Sequence, residues 1–124
     1  GEVAEGVVFS TAGYAAEGSP LADFNAKFKA KYGADPDTIY TAIGYDLIKV
    51  LEAAVLKAGS TDRAALWEAV RSLENVQGAT STITYKGTNG MPIRQVALIR
   101  IVGGQRELVR QVTPDPALIP EPRI

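Results

Sequence analysis

The sequence predicts an α/β or α+β chain built from one strand, three helices and then three strands. Three observations lead to this order: a β-rich opening segment, apolar residues at helical spacing over positions 20–73, and alternating or apolar runs after position 78. The chain has 124 residues, which is the length of a single domain.

The first strand and helix are predicted from their boundary residues. Residues 3–9 form a predicted strand, and a loop rich in small residues follows at 10–18. The first helix should begin at Pro20 with Ser19 as its N-cap. Gly33 occupies the position of a left-handed C-cap. These residues set both ends of the helix.

The second helix, predicted over residues 40–58, has an unusually wide apolar face. Its apolar residues cover an arc of roughly 160°, whereas a surface helix needs about 100°. They are Tyr40, Ile43, Gly44, Leu47, Ile48, Val50, Leu51, Ala54, Val55 and Ala58. Such a helix needs cover from two neighbours, and Gly44 would let another backbone come close. Gly59 is expected to end it.

A third helix and three strands complete the prediction. The helix should be capped by Ser60 or Thr61, with Asp62 in its first turn. An Asn-Gly turn and a Gly-Gly turn separate the strands, which are expected at 79–85, 93–102 and 105–112. The middle strand is apolar on both faces, as a central strand would be. These elements offer too little cover for the second helix, which indicates a subset of a larger domain.

Charge and missing residue types narrow the function. Thirteen basic and 14 acidic residues give a net charge of -1 without a run of either sign, which argues against nucleic acid and against a polybasic membrane anchor. Histidine, the commonest general base and metal ligand, is absent, and so is cysteine. We therefore expect no catalytic residue, no metal, no cofactor and no enzyme. Carboxylate chemistry stays open as an alternative.

Many short motifs then occur in one order along the chain. They are GVVF at 6–9, PLADFNAKFKAKYG at 20–33, GYD at 44–46, VLEAAVLKAGSTD at 50–62, VQGATSTITY at 76–85 and VALIRIVGG at 96–104. This order resembles the C-terminal part of a type I periplasmic solute-binding protein of the branched-chain amino-acid (Leu/Ile/Val-binding) family of ABC transporters. The chain departs from the family pattern at Ser81, Tyr85-Lys86 and Met91.

The resemblance implies part of a two-lobed type I fold, in which each lobe is a parallel-rich sheet flanked by helices and the N-terminal majority is absent. Residues 1–112 would be the C-terminal part of the solute-binding protein, crossing between lobes, with residues 10–18 as one hinge crossing. Residues 113–124 are expected to be a Pro-rich extended tail. The overly apolar second helix would then be a helix whose neighbours lie outside this sequence.

The resemblance also implies a function. It predicts an extracytoplasmic or periplasmic component of an ABC importer that captures a small solute, an amino acid or an aromatic or organic acid, by hinge closure. Its partners would be the solute and an ABC permease, with no nucleic acid. A ligand-sensing domain of a receptor or regulator is the alternative on the same fold. The chain alone is expected to form a homodimer or swapped oligomer.

Two aromatic residues are the candidate ligand-binding residues. Tyr14 lies in the predicted crossing loop, and Tyr40 lies just before the Gly-Tyr-Asp segment, where the resemblance places an aromatic side chain against the ligand. Surface exposure of Tyr14 and simple packing of Tyr40 are the competing interpretations. Tyr45 and Asp46 match the family pattern, and a structural role is expected for both.

Overall fold

The computed structural model describes residues 2–118 and contains three helices and six strands over that range. The helices are α1 (Pro20–Tyr32), α2 (Ile39–Ala58) and α3 (Arg63–Arg71). The strands are β1 (Val8–Thr11), β2 (Val76–Gln77), β3 (Thr82–Thr84), β4 (Ile93–Arg94), β5 (Val96–Val102) and β6 (Gln105–Val112).

The ends of α1 and α2 follow from their capping residues. The Ser19 hydroxyl accepts a hydrogen bond from the backbone N–H of Ala22 at 3.2 Å, so the predicted N-cap of α1 is confirmed. Gly33 and Gly59 end α1 and α2 in the left-handed conformation, with φ of 79° and 61°.

The predicted cap of α3 was wrong. Asp62, not Ser60 or Thr61, is the N-cap: its carboxylate accepts the backbone N–H groups of Ala64 and Ala65 at 3.0 and 3.1 Å. A carboxylate satisfies two free N–H groups and also complements the positive end of the helix dipole. Ser60 accepts the backbone N–H of Asp62 and shapes the preceding turn.

The strands differ from the sequence expectation at four places. The strand expected at 79–85 is shortened to β3, Thr82–Thr84. The opening strand begins at Val8 because residues 2–4 form a 3₁₀ turn and Gly6 has φ of 78°. The long predicted strand at 93–102 is interrupted at Gln95. A short strand, β2, precedes β3 and was not predicted from the sequence.

The strands form two sheets, with orders β1-β5-β6 and β2-β3-β4, and every pairing within residues 2–118 is antiparallel. The central position predicted for the apolar strand is confirmed, since β5 lies between β1 and β6. The Gly103-Gly104 turn, with both φ values positive, joins β5 to β6. Consecutive strands β4 and β5 belong to different sheets, with only Gln95 between them.

Two core clusters lie along the buried side of α2, one nearer each end of the helix. One cluster is formed by Val50, Ala54, Ala69, Leu73 and Ile83. The other is formed by Leu21, Ala42 and Ala79, and it joins α1 and α2 to the turn before β3.

Only one side of the wide apolar face of α2 is buried in the described part of the chain. Ala42, Asp46, Val50 and Ala54 are buried along one line. The neighbouring apolar residues, which we call the uncovered face, are exposed by 36–73%: Tyr40, Leu47, Ile48, Leu51 and Val55. The chain therefore supplies one of the two neighbours that the sequence demands.

The predicted tail is described only in part. Residues 116–118 form an exposed 3₁₀ turn after β6. Residues 119–124 of that prediction lie outside the described residues.

Gly44→Ala should stabilise the chain by about 0.5–1 kcal/mol, because alanine is the better helix former and a Cβ at Gly44 would meet nothing within 4 Å. Urea unfolding measures the change. As a matched control, Gly78→Ala should destabilise the chain, since its Cβ would lie 2.6 Å from the carboxyl carbon of Asp46. A loss of stability in Gly44→Ala would mean that another backbone occupies the uncovered face.

Candidate functional site

Two neighbouring chain segments leave the β1-β5-β6 sheet. At one, the chain leaves β1 at Thr11 and runs toward α1; at the other, Gln95 links β4 to β5. They lie side by side because Thr11 pairs with Ala97 in the β1–β5 ladder. This pair of crossings, which we call the crossing region, is bordered by two cavities.

Tyr14 lines the larger of these cavities, which has a volume of about 550 Å³. Its ring is half-buried, and its hydroxyl donates a hydrogen bond to the carbonyl oxygen of Arg106, 3.3 Å away. The loop before α2 and the β5–β6 turn form the other walls. Tyr14 therefore ties the crossing loop to the β-hairpin.

Tyr40 lines the second cavity, of about 360 Å³. It sits in the first turn of α2, and 73% of its surface is exposed. Ser10, Arg94 and Gln95 contribute polar groups to the same cavity, and Ile43 contributes an apolar wall. An aromatic ring beside one cation and several hydrogen-bonding groups can hold a small molecule that has an apolar and a polar end.

The structure places both tyrosines at the crossing region but in separate cavities. Thr11 and Ile39 line both cavities and stand between them. The predicted ligand-binding roles of Tyr14 and Tyr40 remain predictions.

The strongest polar arrangement nearby is centred on Asp46. Its side chain is 2% exposed. The carboxylate accepts the backbone N–H of Ala79, the backbone N–H of Thr80 at 3.2 Å, and the Thr80 hydroxyl. The Arg94 guanidinium donates to that hydroxyl and lies 3.8 Å from the carboxylate. These bonds fasten α2 to the 78–81 turn and to β4.

Two small residues make this arrangement possible. Gly78 passes the Asp46 carboxylate so closely that a Cβ could not be accommodated there. A Cβ at Gly13 would lie 3.2 Å from the carbonyl oxygen of Thr80. The crossing loop thus packs directly on the turn that holds Asp46.

Sequence reasoning gave Asp46 a structural role but did not include it among the residues of the apolar arc of the second helix. The spacing contains the missed information: Asp46 follows Ala42 by four residues and precedes Val50 by four, so it lies on the buried line. Arg94 was not identified, because a single arginine in a strand carries no motif.

Three further findings concern buried polar atoms, possible metal ligands and the hydropathy of the helices. Within residues 2–118, the Ser81 hydroxyl and the Nε of Arg94 are buried and have no hydrogen-bond partner. No group of three or more His, Cys, Asp or Glu side chains in that range could hold a metal ion. None of the described helices is long and apolar enough to span a membrane.

The family assignment follows from a match over most of the chain. The family model for periplasmic binding proteins matches residues 1–105. The chain belongs to this family. The predicted resemblance and fold class are thereby confirmed. No curated protein matches this chain.

Solved structures agree with the assignment. A leucine binding protein from Thermotoga maritima is 32% identical, with a TM-score of 0.74 over 92% of this chain and 33% of its own. An ABC transporter substrate-binding protein from Desulfitobacterium hafniense, solved in complex with Leu, is 27% identical, with a TM-score of 0.71 over 87% of this chain and 32% of its own.

A branched-chain amino acid ABC transporter periplasmic ligand-binding protein from Burkholderia xenovorans shares the fold. Its TM-score is 0.78 at 23% identity, over 95% of this chain and 33% of its own. The chain therefore spans about a third of the length of these structures.

Asp46→Asn should destabilise the chain by about 2–4 kcal/mol, because an amide cannot accept all of these donors and leaves Arg94 without its buried counter-charge. Urea unfolding measures the loss. Asp37→Asn is the matched control, since Asp37 is exposed, and it should change the free energy of unfolding by less than about 0.5 kcal/mol. Equal effects in both variants would contradict the role assigned to Asp46.

Proposed function

We propose that this chain is the C-terminal portion of an extracytoplasmic solute-binding component of an ABC importer. It captures a small solute, an amino acid or an aromatic or organic acid, by hinge closure. The observation that carries the proposal is the crossing region: two adjacent single-chain links leave the β1-β5-β6 sheet, one toward α1 and one toward β4, and cavities lined by Tyr14 and Tyr40 open beside them.

Hinge closure needs a few residues that absorb the rotation while the elements beside them stay rigid. Gln95 is one such position, because it is the only residue between β4 and β5. The loop after Thr11 is the second, and it contains glycine and alanine residues. Capture by rotation about these links involves no covalent step, so neither a nucleophile nor a general base is required.

The chemistry of the cavities favours a solute with an apolar side and a charged or polar end. Tyr40, Ile39 and Ile43 offer apolar contact, and the polar lining includes Ser10, Gln95 and Arg94, whose guanidinium also faces Asp46. A leucine binding protein and a Leu complex among the similar structures support an apolar amino acid as the first solute to test. Delivery would be to a membrane permease, which places the protein outside the cytoplasm.

The uncovered face of α2 fits the same proposal. In the complete two-lobed protein it would pack against the portion that corresponds to the rest of the relatives' length. When the chain is alone, a second copy would cover it, as a homodimer or a swapped oligomer, because an apolar helix face of this size is unfavourable in water.

Thermal shift tests solute capture. A panel of branched-chain and aromatic amino acids, aromatic acids, amides and polyols is added to the 124-residue chain and to a form extended N-terminally to the relatives' length. A true ligand raises the melting temperature of the extended form, because it binds only the native state. Tyr40→Ala in the extended form should reduce the shift, and Tyr14→Ala should do the same.

The exposed Tyr32→Ala serves as the control for both tyrosine variants, since Tyr32 lies on α1 away from the crossing region. An extended form that responds to no member of the panel would refute solute capture. An equal response by the 124-residue chain would place the whole site within it.

Light scattering tests the role of the uncovered face. The 124-residue chain should associate as its concentration rises, and Leu51→Glu should shift it to monomer, because burying a carboxylate in an apolar contact is costly. Leu56→Glu is the matched control: Leu56 is 77% exposed and lies on another side of α2. A monomer at every concentration would refute the association.

A further inference from the structure

A groove between α1 and α2 carries an aromatic ladder that lies outside the crossing region, and only its member Phe24 also packs against the core. Phe24, Phe28 and Tyr32 follow one another at four-residue spacing on α1, and Tyr45 of α2 completes the set. Adjacent ring centroids are 6.0 Å apart for Phe24–Phe28, 4.5 Å for Phe28–Tyr32 and 5.3 Å for Phe24–Tyr45. The groove has a volume of about 680 Å³.

The aromatic ladder is partly open to solvent. Tyr32 is 61% exposed and Tyr45 is 45% exposed, while the two phenylalanine rings are half-buried. Contiguous exposed aromatic surface is uncommon outside binding sites. The groove is separate from the uncovered face of α2, since Tyr45 and Lys49 project from a different side of that helix than Leu47 and Leu51.

The rim of the groove is positively charged. Lys27 and Lys31 have no carboxylate within 4.0 Å in the described part of the chain, and the Lys31 ammonium lies 5.4 Å from the centre of the Tyr32 ring. Lys49 also lines the groove; its ammonium donates a hydrogen bond to the Glu52 carboxylate, and this contact raises the pKa of Lys49. Asp23 is the one acidic residue among those lining the groove.

This local charge contrasts with the net charge of -1 for the whole chain. Two unpaired ammonium groups beside four aromatic rings match a ligand that has carboxylates around an apolar or aromatic side chain. The groove runs between two helices, and Tyr32 and Tyr45 in it are exposed to solvent, which suits a peptide segment better than an enclosed small molecule. Three lysines without an arginine are too few for a phosphate backbone to be held strongly.

We propose that the groove between α1 and α2 is a docking site for an acidic segment of a partner protein that inserts an aromatic or aliphatic side chain against the aromatic ladder. The anchor side chain removes Tyr32 and Tyr45 from water, and flanking carboxylates pair with Lys27 and Lys31. This interaction is independent of solute capture at the crossing region, because the groove shares no lining residue with the two cavities there.

The probe is a fluorescein-labelled peptide in which glutamates flank a Leu-Trp pair. Fluorescence anisotropy measures its binding to the 124-residue chain and to the N-terminally extended form. Both should bind it, and binding should weaken as salt rises, because exposed charges are screened. A peptide with glutamine in place of glutamate and one with alanine in place of Leu-Trp should each bind about tenfold more weakly.

Matched variants locate the site. Lys27→Gln combined with Lys31→Gln should weaken binding about fivefold. Lys29→Gln combined with Lys86→Gln removes the same charge from lysines that pair with Asp35 and Glu74 outside the groove, and it should leave binding unchanged. Tyr32→Ala should weaken binding, whereas Trp67→Ala, which removes an exposed aromatic residue from α3, should have no effect.

Three results would overturn the proposal. The first is no binding by either form of the protein. The second is equal binding of the glutamate and glutamine peptides, or equal loss in the two lysine double variants, either of which would mean that the groove contributes no specific charge. The third is binding by the 124-residue chain that disappears in the extended form, which would make the groove an internal packing surface. A normal solute response alongside any of these results would leave solute capture intact.

Discussion

The buried carboxylate of Asp46 is the interaction on which the arrangement of the other elements depends. A carboxylate with 2% exposure is tolerated only when its hydrogen bonds are satisfied. Here the donors come from the 78–81 turn, and the charge is balanced by Arg94 of β4. Because the crossing loop packs on the same turn through Gly13, one buried charge orients the helix layer, the small sheet and the first crossing together.

The family assignment accounts for the uncovered face of α2. A chain that matches about a third of its relatives' length contains a helix with more apolar surface than its own elements bury. Its two sides serve different purposes: the buried line through Val50 and Ala54 organises the local core, and the uncovered face offers area for packing against other structure. Helix α2 therefore combines a buried core side with an exposed apolar side.

Local residue chemistry was sufficient to predict much of this fold. Ser19, Gly33 and the Gly-Gly turn determine their structures through backbone geometry, which short sequence patterns describe well. The interruption at Gln95 and the role of Arg94 could not be predicted, because they depend on which sheet each strand joins. Asp46 shows an intermediate case, in which the spacing indicated burial but a charged residue is usually expected at the surface. Tyr14 and Tyr40 became candidate ligand-binding residues only through the family resemblance. A resemblance of this kind does not predict whether two residues line the same cavity.

The single residue between β4 and β5 has a mechanical consequence. After Gln95, β5 is hydrogen-bonded to β1 or β6 along almost its whole length. The β1-β5-β6 sheet therefore resists bending. Before Gln95, β4 has only two residues and one partner strand. The β2-β3-β4 sheet therefore deforms more easily. Twisting of one sheet against the other is then concentrated in a few backbone torsions around Gln95, whose stiffness sets the energy needed to rotate the two sheets.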